Sequence, residues 1–432
     1  MGGLLIIVIF LGMLFLNIPI AVSLGIASVT YIFFFSSIPI DMIIQSFFSG
    51  VDSFSLIAVP FFILAGDIMM VGGISRRLVN FCLLFLGAVK GALGMVTVFT
   101  SMIFAAISGS GPATVACIGG IMIPEMEKQN YDKAFACSIS AASGALGPVI
   151  PPSLSFIMYG VIAQLSITEL FVAGVIPGIL MGVALMVLVH VVAKKEGYGQ
   201  APQEVEQYNK EEKVSTKKTI KEALWSLMVP VIILGGIYGG FFTPTEAAII
   251  ACDYGLLVGI FVYKEIKLKD IFGIFRTTVL TSGTVMILVS CATAFGRLLA
   301  MEQVPTNVAN FILSISDNKL IVLLLINVFL FLVGMLMETL AAIIILAPLL
   351  LSVVIPLGVD PIHFGVIMVV NLVIGMCTPP VGVNLFVAAR IGGVKLESMF
   401  RWLLPCVAVL LIVLVLVTYI PVLSTGLVSL IK

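Results

Sequence analysis

The chain alternates long apolar runs with short polar interruptions, and many of the runs match or exceed the ~20 apolar residues needed to cross a bilayer. Residues 3–35 form the first run, with an expected kink at Asn17-Ile18-Pro19. A polar-flecked stretch, 41–53, precedes a second run, 55–71, that contains Asp67. Residues 74–91 carry Arg76 and Arg77 at one end and Lys90 at the other, which predicts a helix lying along the interface. Residues 93–107 then enter, 108–112 turn and 113–123 return, the pattern of a re-entrant hairpin. The next run, 134–164, is interrupted at 147–152, and 170–193 leads to the one long polar loop, 194–221.

The same order recurs after that loop. A connecting span, 223–241, is followed by 245–263, a crossing at 277–300 and an interfacial element at 305–316. A second hairpin follows at 319–336 and 340–356, then a second interrupted span, 361–390, and a last span, 402–423. The predicted division is a first repeat, 1–193, a cytoplasmic loop, 194–222, a connecting helix, 223–244, and a second repeat, 245–432.

Both interruptions are built from glycine and proline, Gly147-Pro148-Val149-Ile150-Pro151-Pro152 and Gly375-Met376-Cys377-Thr378-Pro379-Pro380. A proline pair removes backbone donors and bars the preceding residue from the helical region, so the helix must open there. One shift of 228 residues (375 less 147) relates the two and carries Ser110 onto Glu338, so each break follows a hairpin tip at the same distance. Paired broken segments in the two halves of a membrane chain mark a transporter's binding site.

Composition agrees with the pattern. The 432 residues are 61% hydrophobic and only 10% charged, with zero net charge, and mean hydropathy is +1.25. This excludes an ordinary soluble domain and gives no basic face for nucleic acid. The seven cysteines lie in apolar runs without CxxC spacing, as packing residues do. No HExxH, GxGD or GxSG motif suggests an intramembrane protease, so no enzyme activity is expected. Residues 1–35 lack a basic leader region and a small-residue cleavage site and are expected to be a retained helix.

Charge sets the expected topology. With re-entrant hairpins, Arg76, Arg77, Lys90, Lys128, Lys133, the lysines of 194–221, Lys264, Lys267, Lys269, Arg276, Arg390, Lys395 and Arg401 share one side. Lys319 and Lys432 remain opposite, beside Asp41, Asp52, Glu169, Glu302, Asp317 and Asp360. The expectation is nine crossings, with the N-terminus cytoplasmic and the C-terminus periplasmic. The fold class is an all-α polytopic membrane protein, an inverted-repeat transporter with two re-entrant hairpins and two broken helices.

The breaks carry the candidate chemistry. A half-helix ending there points free carbonyls and a negative dipole end into the membrane; one beginning there offers N–H groups and a positive end. The first suits Na⁺ and the second a substrate carboxylate. Gly147, Ile150 and Pro152 with Ser108 and Ser110 form one candidate sodium site, and Gly334, Gly375, Thr378 and Val381 the other. Asp67, Glu246, Asp253 and Glu338 are acids inside apolar runs; Glu246 is expected to cap a helix, while Asp67 and Asp253 are candidates equally for a role in transport and for pairing with an arginine such as Arg297.

Several motifs together resemble the large membrane subunit of the TRAP (tripartite ATP-independent periplasmic) transporters, along the whole chain. They are Ser-Gly-Ser-Gly-Pro-Ala-Thr at 108–114, Gly-Pro-Val-Ile-Pro-Pro-Ser at 147–153, Thr-Pro-Thr-Glu-Ala-Ala at 243–248 and Thr-Pro-Pro-Val-Gly at 378–382. The resemblance implies an elevator-type fold of the ion-transporter superfamily in a bacterial inner membrane. It implies sodium symport of organic acids such as C4-dicarboxylates or sialic acid. It also implies two partners, a small four-helix membrane subunit and a periplasmic substrate-binding protein. Candidate substrate contacts are Ser110, Pro112, Ser153, Glu338, Thr339 and Asn384. The alternatives are a stand-alone Na⁺/dicarboxylate symporter of similar architecture and a channel.

Overall fold

A computed structural model describes residues 2–16, 18–36, 38–87, 89–198, 216–316 and 318–431. Asn17, Asp317, Lys432 and most of the predicted cytoplasmic loop, Lys210 and Lys213 included, lie outside the described residues. The described residues are helical, with no strand among them.

Four helices form one packed group. Ala58–Val71 lies against Pro244–Leu257 and against the 34-residue helix Leu268–Met301, which in turn packs on Ile20–Phe35. The second group holds both hairpins, both broken helices and the last two helices. Its halves interlock. Lys133–Gly144, leading into the first break, packs on Val383–Gly392 and Leu396–Tyr419 of the second half. Leu154–Ala163, leaving that break, packs on the returning arm of the second hairpin, Thr339–Val354.

Helix ends follow the 228-residue shift closely. Ala92–Ser108 corresponds to Lys319–Leu336, Lys133–Gly144 to Pro361–Gly375 and Leu154–Ala163 to Val383–Gly392. Asp132 and Asp360, separated by that interval, cap the two helices that run into the breaks. Asp132 Oδ1 accepts from Phe135 N at 3.0 Å, and Asp360 Oδ1 from Ile362 N at 2.7 Å. Each cap satisfies amides that a helix start leaves free. Both proline pairs, Pro151-Pro152 and Pro379-Pro380, are cis.

Four sequence expectations change. Residues 3–35 are two helices, Gly2–Phe15 and Ile20–Phe35, not one kinked span; Pro19 lacks the amide a continuous helix needs. The polar-flecked stretch contains a helix, Ile40–Ser49, whose Ile43 and Ser46 face inward. The last span ends at Tyr419, and Val422–Ile431 forms a further helix after Pro421. Arg297 pairs with neither Asp67 nor Asp253. Its Nη1 donates to Ser46 Oγ at 3.1 Å, while Thr278 Oγ1 donates to Asp67 Oδ2 at 2.7 Å. Nineteen residues of one continuous helix separate 278 from 297, roughly 28 Å along its axis, so one carboxylate cannot reach both.

Glu246 is a cap, as its position suggested. Its Oε2 accepts from Thr243 N at 2.8 Å, and Thr243 Oγ1 accepts from Glu246 N at 3.3 Å. Arg77 gathers three elements, with its Nη1 2.6 Å from Glu265 Oε1, its Nε 3.7 Å from Glu222 Oε2 and its guanidinium over the Tyr263 ring.

A buried polar chain ties the second hairpin to the last helices. Asn371 Nδ2 donates to Asn327 Oδ1 at 2.8 Å, Asn327 Nδ2 to Thr418 Oγ1 at 3.0 Å, and His363 Nδ1 lies 2.6 Å from Ser424 Oγ. Replacing Asn371 with leucine keeps the bulk but leaves Asn327 Oδ1 without its donor. An unmet buried acceptor costs ~1–3 kcal/mol, and interhelical bonds in membranes average ~0.6 kcal/mol. We expect Asn371→Leu to lower the melting temperature in detergent measurably, and an unchanged melt would show that this chain adds nothing to stability.

Candidate functional site

The first hairpin turns on three residues. Helix Ala92–Ser108 ends at Gly109, whose φ of 59° is left-handed, and Ser110 is extended before the chain re-enters a helix at Gly111. Thr114 Oγ1 donates to Ser110 O at 2.8 Å and lies 3.1 Å from Ser108 Oγ, so the hydroxyls hold the tip together. The second hairpin turns at Met337 and Glu338. There the Glu338 carboxylate accepts from Ala341 N at 3.1 Å and caps Thr339–Val354.

Each tip region rests on a break through bare backbone. A Cβ on Gly147 would stand 2.5 Å from Ser110 O and 2.9 Å from Gly111 N. One on Gly375 would stand 2.6 Å from Gly334 Cα and 2.8 Å from Met335 N. Only glycine allows main chains this close. Val381 N adds a 3.2 Å hydrogen bond to Met335 O across the second contact. The two contacts are not in the same register. The 228-residue shift would place the second at Glu338, yet it falls at Gly334, about one helical turn earlier. Glu338, four residues on, is half-buried at the tip itself.

Around the first contact the nearby oxygens are mostly main-chain carbonyls. Gly144 O lies 3.0 Å from the Cβ position of Gly111, and Pro152 O lies 2.8 Å from that of Gly109. Ser153 Oγ accepts from Phe156 N at 3.2 Å and donates to Pro148 O, so it closes the break as a helix cap. Asn384 reaches in from the second half. Its Nδ2 donates to Ala141 O at 3.3 Å, while its Oδ1 is buried without a partner, 3.1 Å from the Cβ position of Gly111. At the second break Thr378 Oγ1 donates to Ile374 O at 2.9 Å, and Thr339 Oγ1 to Met376 Sδ at 2.7 Å. Neutral oxygens at helix ends suit Na⁺. Among the described residues no group of three His, Cys, Asp or Glu side chains offers a transition-metal site.

A cavity of about 620 Å³ opens beside the tips. Ser108, Ser110, Pro112, Glu338, Leu340 and Ala341 line one wall, and Pro19, Gly66, Asp67, Thr281, Thr284 and Leu288 of the four-helix group line the other. A narrow cleft between the two tips, with Ser110, Pro148, Thr339 and Met376 on its walls, lies behind it. Of the predicted substrate contacts, Ser110, Pro112 and Glu338 face the main cavity and Thr339 the cleft. Ser153 and Asn384 line neither and belong to the packing behind the tips. Gly147, Ile150, Pro152, Gly334, Gly375, Thr378 and Val381 also stand outside the main cavity. The opposite wall escaped the sequence reading apart from Asp67. Its signal was the stripe Thr278, Thr281, Thr284 at three-residue spacing in an otherwise apolar helix.

The family described as "Tripartite ATP-independent periplasmic transporter, DctM component" matches residues 7–423. The isethionate TRAP transporter permease DctMQ of Oleidesulfovibrio alaskensis is 48% identical over 94% of the chain, which spans only 63% of that longer protein. The sialic acid TRAP large permease SiaM of Vibrio cholerae is 40% identical over 95% of both chains. The C4-dicarboxylate TRAP large permease DctM of Pseudomonas aeruginosa is 39% identical over 94% of this chain and 93% of its own. Among solved structures, the YdaH transporter of Alcanivorax borkumensis superposes with a TM-score of 0.62 at 14% identity, covering 97% of this chain and 98% of its own. MtrF of Neisseria gonorrhoeae gives 0.60 at 10% identity, covering 96% and 94%. These last two are similar in fold alone.

Thr378→Val keeps side-chain shape and removes one oxygen; if that oxygen faces an ion, a loss of ~1–3 kcal/mol is reasonable, a ~5- to 150-fold rise in the half-saturating sodium concentration for uptake. Gly147→Ala and Gly375→Ala should do more harm, because each methyl meets main chain, which cannot swing aside. Uptake against external sodium, at matched expression, checks this order. Wild-type sodium dependence in all three would show that the contacts are packing alone.

Proposed function

The chain belongs to the DctM component family of tripartite ATP-independent periplasmic transporters, and from that premise we propose that it is the large membrane subunit of a sodium-coupled importer of small organic acids. It is a multi-pass transporter permease, not an enzyme. The observation that carries the rest is the cavity, where the tips of two hairpins meet a wall of separate helices.

A volume of about 620 Å³ suits a small organic ligand. The relatives are named for isethionate, sialic acid and C4-dicarboxylate, all small organic anions. The lining holds two acids, Asp67 and Glu338, and no lysine, arginine or histidine. An organic anion entering alone would meet like charge in a low-dielectric setting. Sodium at the breaks supplies the missing positive charge, and the hairpins' returning helices, beginning at Gly111 and Thr339, turn their positive ends towards the ligand. Gly147, Ile150, Pro152, Ser108 and Ser110 would hold one ion, and Gly334, Gly375, Thr378 and Val381 the other. Coupling follows if the ion and the substrate each stabilise the same closed arrangement of the tips.

In this reading the two halves are inverted repeats, the lysine-rich side is cytoplasmic, and the hairpin group moves against the four-helix group. A periplasmic binding protein delivers the substrate and a small membrane subunit completes the permease. The test is uptake into proteoliposomes under an inward sodium gradient. We expect transport only when the small subunit and the loaded binding protein are both present, with an impermeant thiol reagent labelling Lys221→Cys from the cytoplasmic side alone. Uptake by the purified single chain would instead support the stand-alone symporter.

A further inference from the structure

Besides the capping Glu246, three acids lie within the apolar runs, and two of them are accommodated. Asp67 accepts from Thr278 and faces the cavity, while Glu338 caps a helix and lines the same space. Asp253 does neither. It is the tenth residue of the 19-residue apolar segment Pro244–Val262, so at 1.5 Å per residue it stands about 13 Å from either end, near the bilayer midplane. It points outward, on an exposed stripe that also carries Leu257 and Phe261. The neighbouring helix, Thr216–Tyr238, extends that surface with Trp225, Met228 and Val231, and Tyr254 Oη ties the two helices through Trp225 O at 2.9 Å. An acid at this depth is expected to face a bundle interior or a water-filled cavity, or to be paired.

We propose that Asp253 marks the docking surface of the small membrane subunit, which presents a basic side chain to it from a transmembrane helix. The inference rests on the two-subunit reading above and adds its location and chemistry. Two observations favour this occupant over lipid or a second copy. Charge complementarity is the first: a basic side chain pairs with Asp253, whereas a second copy with its two-fold axis at this stripe would set carboxylate towards carboxylate. The second is that DctMQ carries more than a third of its length beyond the part this chain spans, in one polypeptide with it. One polypeptide keeps that extra segment with the shared part in the membrane protein it belongs to.

The probe is that extra segment of the Oleidesulfovibrio alaskensis permease, co-expressed in membranes with the full chain and read as the fraction retained on affinity purification. Wild type and Asp253→Glu should retain it, whereas Asp253→Leu and Asp253→Asn should retain at least about tenfold less. The chain alone should melt no lower with leucine at 253, since that surface then suits detergent. If the leucine variant does not purify as one species, the asparagine variant decides. Equal retention by wild type and variants overturns the surface alone, as does disulfide-linked dimerisation of Asp253→Cys. No retention by wild type overturns the two-subunit reading and this surface with it.

Discussion

A backbone that leaves its helix inside hydrocarbon must find other partners for its amides and carbonyls, and each group left alone costs several kcal/mol. This chain does so twice, at 147–152 and 375–382, and the surrounding architecture answers that constraint. Ser153 caps the first restart, Gly382 begins the second, and a hairpin lies against each break through bare main chain. Val381 N and Asn384 Nδ2 then bond to carbonyls of other segments. What remains at the first break is the buried Asn384 Oδ1, an acceptor without a donor, beside the carbonyl of Gly144. In the proposed function, sodium supplies the partner missing there.

Much of this was legible in the chain itself. Proline and glycine act locally, so the breaks and hairpin turns could be placed within a residue or two. The 228-residue interval followed from residue identities alone, and helix boundaries in the structure keep it. Register was not legible. Nothing local says that the second hairpin meets its break at Gly334 and the first at Ser110, because that choice depends on how whole helices pack. Asn384 illustrates the same limit. Its repeat counterpart is Phe156, so no symmetry argument could place an amide from the second half against Gly111 and Gly144 of the first. The outer cavity wall was missed because threonines in an apolar helix often bond back to their own turn; Thr284 does, while Thr278 reaches across to Asp67.

The intramembrane acids show how one residue type takes different roles by position. Glu246 caps a helix, Glu338 caps a helix and faces the cavity, and Asp67 holds a hydroxyl from the opposing wall. Sequence alone could rank them only by depth. The pairing of Arg297 with Ser46 removes the simple arginine–aspartate explanation and leaves Asp253 as the acid that calls for a partner outside the chain.

Amide hydrogen exchange of the purified protein, in sodium chloride against choline chloride at equal ionic strength, tests the central claim most directly. If both breaks hold sodium, segments 108–112 and 147–153, and 334–340 and 376–384, should exchange more slowly in sodium, with the helices Ala58–Val71 and Pro244–Leu257 unchanged. Identical exchange in the two salts at all four segments would contradict it.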